Sequence, residues 1–151
     1  MNPKNNKIAI IGMGYVGLPL AVALAKKNHV VGFDINKIRV NNLKRGIDQT
    51  KEILKNKITN SKKLRFSDKI SDLSKCETYI ITVPTPVDKN NKPNLKPLLN
   101  ATKTISKVLS KNNLVIYEST VFPGATEELC GPILEKNSGF KINKNLYLGY
   151  S

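Results

Sequence analysis

The chain has 151 residues with 40% hydrophobic content, which suits a single globular domain with a real core. Its net charge of +14 would ordinarily point to nucleic acid, but 22 lysines against 3 arginines are spread through the chain, with no arginine cluster, RNA-binding aromatic signature or zinc finger. Nucleic acid is therefore not an expected partner, and two cysteines, Cys76 and Cys130, exclude a disulfide framework and a CxxC metal spacing and read as buried free thiols in a reducing compartment.

A first strand is expected over 7–11, an apolar run that leads directly into Gly12-Met13-Gly14-Tyr15-Val16-Gly17. A helix follows over about 15–27, and a second strand over about 30–33 ends at Asp34. Strand, glycine turn, helix and acid in this register form a unit that holds a dinucleotide pyrophosphate. Gly12 allows the tight turn, Gly14 lets backbone approach phosphate, and Gly17 permits close packing of helix on strand. The first helical turn offers free N–H groups and the positive end of its dipole to the anion. Asp34 suits the hydroxyls of an adenosine ribose, and its charge would repel a 2′-phosphate, so NAD is expected over NADP. The same uncharged stretch from Ile8 to Ala25, preceded by Lys4 and Lys7, also has the outline of a signal peptide or short membrane span. Gly12, Gly14, Gly17 and Pro19 interrupt it too often for a continuous apolar helix, so no membrane association is expected and the location is read as cytoplasmic.

Further along, a helix over about 36–45 is ended by Gly46, and Asp48 and Thr50 introduce a shorter helix through about 57. His29 reads as a surface turn residue before the second strand. A weak third strand at 64–66 and a short helical connection over 67–75 precede a strong fourth strand at 78–83, which breaks at Pro84-Thr85-Pro86. After a polar loop, Asn94 caps a helix to about 110; a fifth strand at 114–118, a helix over about 125–136 and a sixth strand at 146–148 complete the chain. The alternation predicts an α/β fold, a doubly wound parallel sheet of about six strands in the order 3-2-1-4-5-6 with helices on both faces. The Gly12–Gly17 turn, Asp34, Thr85 and Ser119-Thr120 then share one sheet edge, although either threonine alone also reads as a turn hydroxyl.

Taken together, these segments resemble the amino-terminal domain of the UDP-glucose/GDP-mannose dehydrogenase family, a Rossmann-type fold. The resemblance is carried by residues 8–21, by Gly32-Phe33-Asp34-Ile35-Asn36, and by Gly46-Ile47-Asp48-Gln49-Thr50. It continues in Val83-Pro84-Thr85-Pro86-Val87 and in 118–128, and it spans essentially the whole chain. The Val-Pro-Thr-Pro-Val and Tyr-Glu-Ser-Thr-Val segments are most similar to the branch acting on UDP-N-acetylhexosamines (UDP-GlcNAc or UDP-GalNAc), which includes enzymes of surface polysaccharide synthesis.

The resemblance implies oxidation of the sugar 6-hydroxyl to a carboxylate by two hydride transfers to NAD, with the aldehyde held on a cysteine thiolate. It assigns backbone contacts to the pyrophosphate at Tyr15 and Val16, the adenosine ribose to Asp34, and the adenine half to Arg39. Thr85 and Thr120 flank the nicotinamide half, with Thr120 nearest the reacting centre. Asn94 stands where relatives often carry Asp, and both residues cap helices. Neither Cys76 nor Cys130 matches the family nucleophile, which lies downstream with the sugar-binding lysine and asparagine and the dimer helix. Residues 1–151 are thus expected to be the NAD-binding domain alone, without the central helical and C-terminal UDP-sugar-binding domains. Such a chain binds NAD without turnover, as a monomer, whereas the whole enzyme is a homodimer. Open alternatives are another Rossmann dehydrogenase, a methyltransferase using the glycine turn for S-adenosylmethionine, and a non-enzymatic NAD sensor.

Overall fold

Continuous apolar runs bounded by turns fold as the buried strands of a parallel sheet covered on both faces. The computed structural model describes residues 7–87, 92–118 and 124–150. Six strands, β1 Lys7–Ile11, β2 His29–Phe33, β3 Leu64–Ser67, β4 Thr78–Ile81, β5 Asn113–Tyr117 and β6 Leu146–Tyr150, form one sheet in the order β3-β2-β1-β4-β5-β6. Every strand pairing in it is parallel, as the sequence predicts.

Side-chain alternation along β1 divides the core between the two faces. Ile8 and Ile10 pack with Leu18, Ala21, Val40 and Leu43 from helices α1 Gly17–Leu24 and α2 Lys37–Lys44. Ala9 and Ile11 pack with Leu98, Ile105 and Leu134 from α4 Lys96–Ser106 and α5 Gly131–Ser138. The short α3 Lys55–Thr59 adds Ile58 to the first face. Ile10, Leu18 and Leu98 are fully buried, and each burial contributes about 1.5–3 kcal/mol. Because the winding reverses between β1 and β4, a crevice opens at their carboxyl ends.

Three local differences from the sequence reading have physical causes. Helix α1 begins at Gly17 rather than near Tyr15, so Pro19 falls in the first turn, where its missing N–H has no intrahelical partner to lose. The helix expected from Asp48 begins only at Lys55, because the Asp48 carboxylate accepts the amides of Thr50, Glu52 and Ile53 and holds a loop instead. The helix expected over about 125–136 is a π-helical turn, Thr126–Cys130, followed by α5. Pro132 supplies no N–H to the Glu128 carbonyl, and the coil widens ahead of it. His29 opens β2 rather than preceding it and stays exposed.

Candidate functional site

The carboxyl ends of β1, β2 and β4 and one face of α4 enclose a cleft of about 500 Å³. From α4 it receives Pro97, Asn100, Ala101 and Thr104, spaced to lie on one side of a helix. Its floor is the glycine turn. Gly12 has φ of +100°, a conformation that side chains other than hydrogen rarely adopt. A Cβ on Gly17 would overlap the Gly12 carbonyl and approach the Thr82 hydroxyl to 2.5 Å, whereas a Cβ on Gly14 would meet nothing within 4 Å. One glycine is therefore needed for packing, and the other leaves an open approach to backbone.

The turn is gripped from three sides. Asp34 Oδ2 accepts the Met13 amide at 2.8 Å, and its Oδ1 accepts the Asn36 amide at 2.9 Å. Arg39 Nε donates to the Met13 carbonyl at 2.8 Å. The Thr82 hydroxyl bonds the Gly12 carbonyl at 2.8 Å and the Ile11 carbonyl at 3.1 Å. Helix α2 is capped by Asn36, whose Oδ1 accepts the amides of Ile38 and Arg39. Helix α1, in contrast, has no side-chain cap and no acid in its first turn. The amides of Gly14, Tyr15 and Val16 have no hydrogen-bond partner among the described residues. An uncapped helix start with open amides beside a carboxylate fits the pyrophosphate and ribose of a dinucleotide.

The cleft brings together Gly12, Gly14, Asp34 and Arg39 of the expected residues. Tyr15 and Val16 lie at the start of α1 with side chains exposed, leaving their backbone toward the turn. Thr85 is half-buried beyond Pro84 and is not among the lining residues; Thr82 is. Thr120 lies outside the described residues. Thr82 escaped the sequence reading because it passes for the interior of an apolar strand, its one signal being a hydroxyl at the strand's carboxyl end.

Arg39 is more deeply committed than its expected adenine contact implies. It is 6% exposed, its Nη1 lies 2.8 Å from Asp48 Oδ1 in an ion pair without hydrogen-bond alignment, and its Nη2 is buried with no partner among the described residues. Burial pushes the Asp48 carboxyl up, but hydrogen bonds from the Thr50 hydroxyl and the Ile53 amide, together with the adjacent Arg39 guanidinium, outweigh it and hold the pKa at about 2 instead of 3.8. A depressed folded pKa stabilises the fold above about pH 4, by on the order of 2 kcal/mol, and this is lost as pH falls from about 4 to 2. Urea titrations of Asp48→Asn are expected to show a shallower loss of stability over that interval; an unchanged slope would contradict the assignment.

Neither cysteine is poised as a nucleophile. Both are buried and free. Burial pushes the Cys76 thiol up to about 11 and raises that of Cys130, which lies beside Tyr117 and Thr102. Among the described residues no cluster of His, Cys, Asp and Glu could hold a metal ion, and no helix is long and apolar enough to cross a membrane.

Comparison with known proteins gives a consistent picture. The family model described as UDP-glucose/GDP-mannose dehydrogenase family, NAD binding domain, matches residues 6–151. The chain is 51% identical over 148 residues to a UDP-N-acetyl-D-glucosamine 6-dehydrogenase of Pseudomonas aeruginosa, covering 98% of this chain and 35% of that protein. It is 49% identical over 145 residues to an enzyme of the same name from Salmonella typhi, covering 96% and 34%. Among solved structures, a UDP-D-ManNAc dehydrogenase from Pyrococcus horikoshii superposes with a TM-score of 0.86 at 31% identity, covering 95% of this chain and 35% of the other. The chain thus spans about a third of the length of these relatives.

Proposed function

Because the chain belongs to the UDP-glucose/GDP-mannose dehydrogenase family, matching its NAD binding domain, we propose that it presents NAD in a 6-dehydrogenase of UDP-N-acetylhexosamines. In that enzyme the sugar C6 hydroxyl becomes a carboxylate; hydride acceptance is the chemistry that NAD supplies when bound. The observation that carries the reading is the uncapped start of α1, with the open amides of Gly14, Tyr15 and Val16, set beside the Asp34 carboxylate.

In this reading the amides of the turn and of the first helical residues hold the pyrophosphate, and Asp34 accepts from the adenosine ribose with its remaining lone pairs. The exposed Ile35 side chain offers apolar surface, and Arg39 Nη2 offers an uncommitted donor on the adenosine side. Thr85 and Thr120 are assigned to the nicotinamide half by the family resemblance, with Thr120 acting at the reacting centre. Residues 1–151 serve as the cofactor domain. The sugar-binding domain, the cysteine nucleophile and the homodimer contacts belong to other parts of the enzyme, which works in the cytoplasm in surface polysaccharide synthesis.

Calorimetry on the chain tests the cofactor half of this reading. NAD is expected to bind at least about tenfold more tightly than NADP, because a 2′-phosphate meets the Asp34 charge. Equal affinity would remove the role of Asp34, and no binding of either would remove the reading. NADH formation by the longer protein with UDP-N-acetylglucosamine tests the activity, and a protein silent on every UDP-sugar would refute it.

A further inference from the structure

At the opposite edge of the sheet, where β1, β2, β3 and β4 begin, lies a second groove of about 480 Å³. Five of its thirteen described lining residues, Lys7, Lys62, Lys63, Arg65 and Lys75, are cationic, against 25 of 151 in the whole chain. The concentration therefore exceeds what the lysine-rich composition alone would place there. These side chains converge from separate segments: the start of β1, the approach to β3, β3 itself and the turn before β4. We propose that this groove binds a compact oligophosphate anion, in a site separate from the nucleotide cleft.

Several observations support that occupant. The single acid among the described lining residues, Asp72, is already engaged: it accepts the Ser67 hydroxyl and lies 3.9 Å from Arg65 Nη2. Lys63 is oriented by donating to the Lys27 carbonyl at 3.1 Å. At the floor, Cys76 experiences the positive field, since Arg65 and Lys7 both draw its thiol pKa down against burial. Concavity and focused charge raise the local concentration of a multiply charged anion. Among the described residues no Phe, Tyr or Trp lines the groove and His29 offers the one ring, so the described lining lacks the aromatic platform on which successive bases of a single-stranded nucleic acid stack. Its volume lies within the range of small-molecule sites, which favours a short phosphate chain over a polymer track. The length of β1 sets the two edges about 17 Å apart, so both sites fill together.

The test is a 15N NMR titration of the chain with tripolyphosphate at about 0.15 M salt, run with and without NAD. Saturable amide shifts are expected at 62–65 and 75–76 under both conditions, while NAD moves residues 12–17. The double variant Lys62→Glu/Arg65→Glu is expected to weaken tripolyphosphate binding by about tenfold or more and to leave NAD affinity unchanged. Both residues are exposed, and Lys62→Gln/Arg65→Gln, with a loss of about threefold, serves if charge reversal disturbs β3. Shifts confined to 12–17, non-saturating shifts across lysines of the whole surface, or tighter binding of duplex DNA than of tripolyphosphate would each overturn the proposal. Mapping by residue keeps it distinct from the cofactor reading, which fails if NAD leaves 12–17 unmoved.

Discussion

Asp34→Ala is expected to weaken NAD binding by roughly 10- to 150-fold, the loss of about 1.5–3 kcal/mol of hydrogen bonding to a charged acceptor. The geometry adds a second contribution. Asp34 Oδ2 also holds the Met13 amide, so truncation frees the middle of the glycine turn as well as the ribose contact. Asp34→Asn separates the two effects. An amide oxygen can still accept the Asn36 proton now taken by Oδ1, but the amide nitrogen cannot accept from Met13. Asn is therefore expected to recover only part of the affinity, with NADP discrimination falling alongside NAD binding. Calorimetry of the two variants with NAD, NADP and ADP-ribose measures this, and unchanged NAD affinity in Asp34→Ala would refute the role.

Gly17→Ala and Gly14→Ala are expected to fail in opposite ways. The added methyl at position 17 would overlap the Gly12 carbonyl and crowd the Thr82 hydroxyl, neither of which can retreat without disturbing β1 or β4. The overpacking is expected to cost about 3 kcal/mol or more, a large share of the ~5–15 kcal/mol that stabilises a typical domain. At position 14 the methyl has open space, so the urea midpoint is expected to stay close to wild type. Its Cβ instead occupies the approach to the turn, and NAD affinity is expected to fall by about tenfold or more. Urea denaturation and calorimetry on the pair decide it: a Gly17→Ala protein as stable as wild type, or a Gly14→Ala protein that binds NAD normally, would contradict the division of labour.

The sheet was legible because its strands are buried on both faces and appear as unbroken apolar runs, as in Ile8-Ala9-Ile10-Ile11 and Tyr79-Ile80-Ile81. The glycine turn and Asp34 were legible because each performs a job that few other residues can. The loop at Asp48 was not, since its form depends on one carboxylate outcompeting the helix for three amides and on a buried arginine arriving from α2. The resemblance assigned Arg39 to the adenine half of the cofactor; its burial against Met13 and Asp48 depends on tertiary packing that no spacing encodes. Thr82 was hidden in an apolar strand, and its partners lie 70 and 71 residues away.

That separation links the turn to the whole sheet. The fingerprint itself, from β1 through Asp34, is local, and its internal tie between Met13 and Asp34 spans only 21 residues. The Thr82 strut exists only after β4 has docked on β1, which requires the intervening chain to close a far longer loop. Because the braced turn needs both halves of the sheet, a nucleotide bound there favours the complete fold over any state in which β4 has parted from β1.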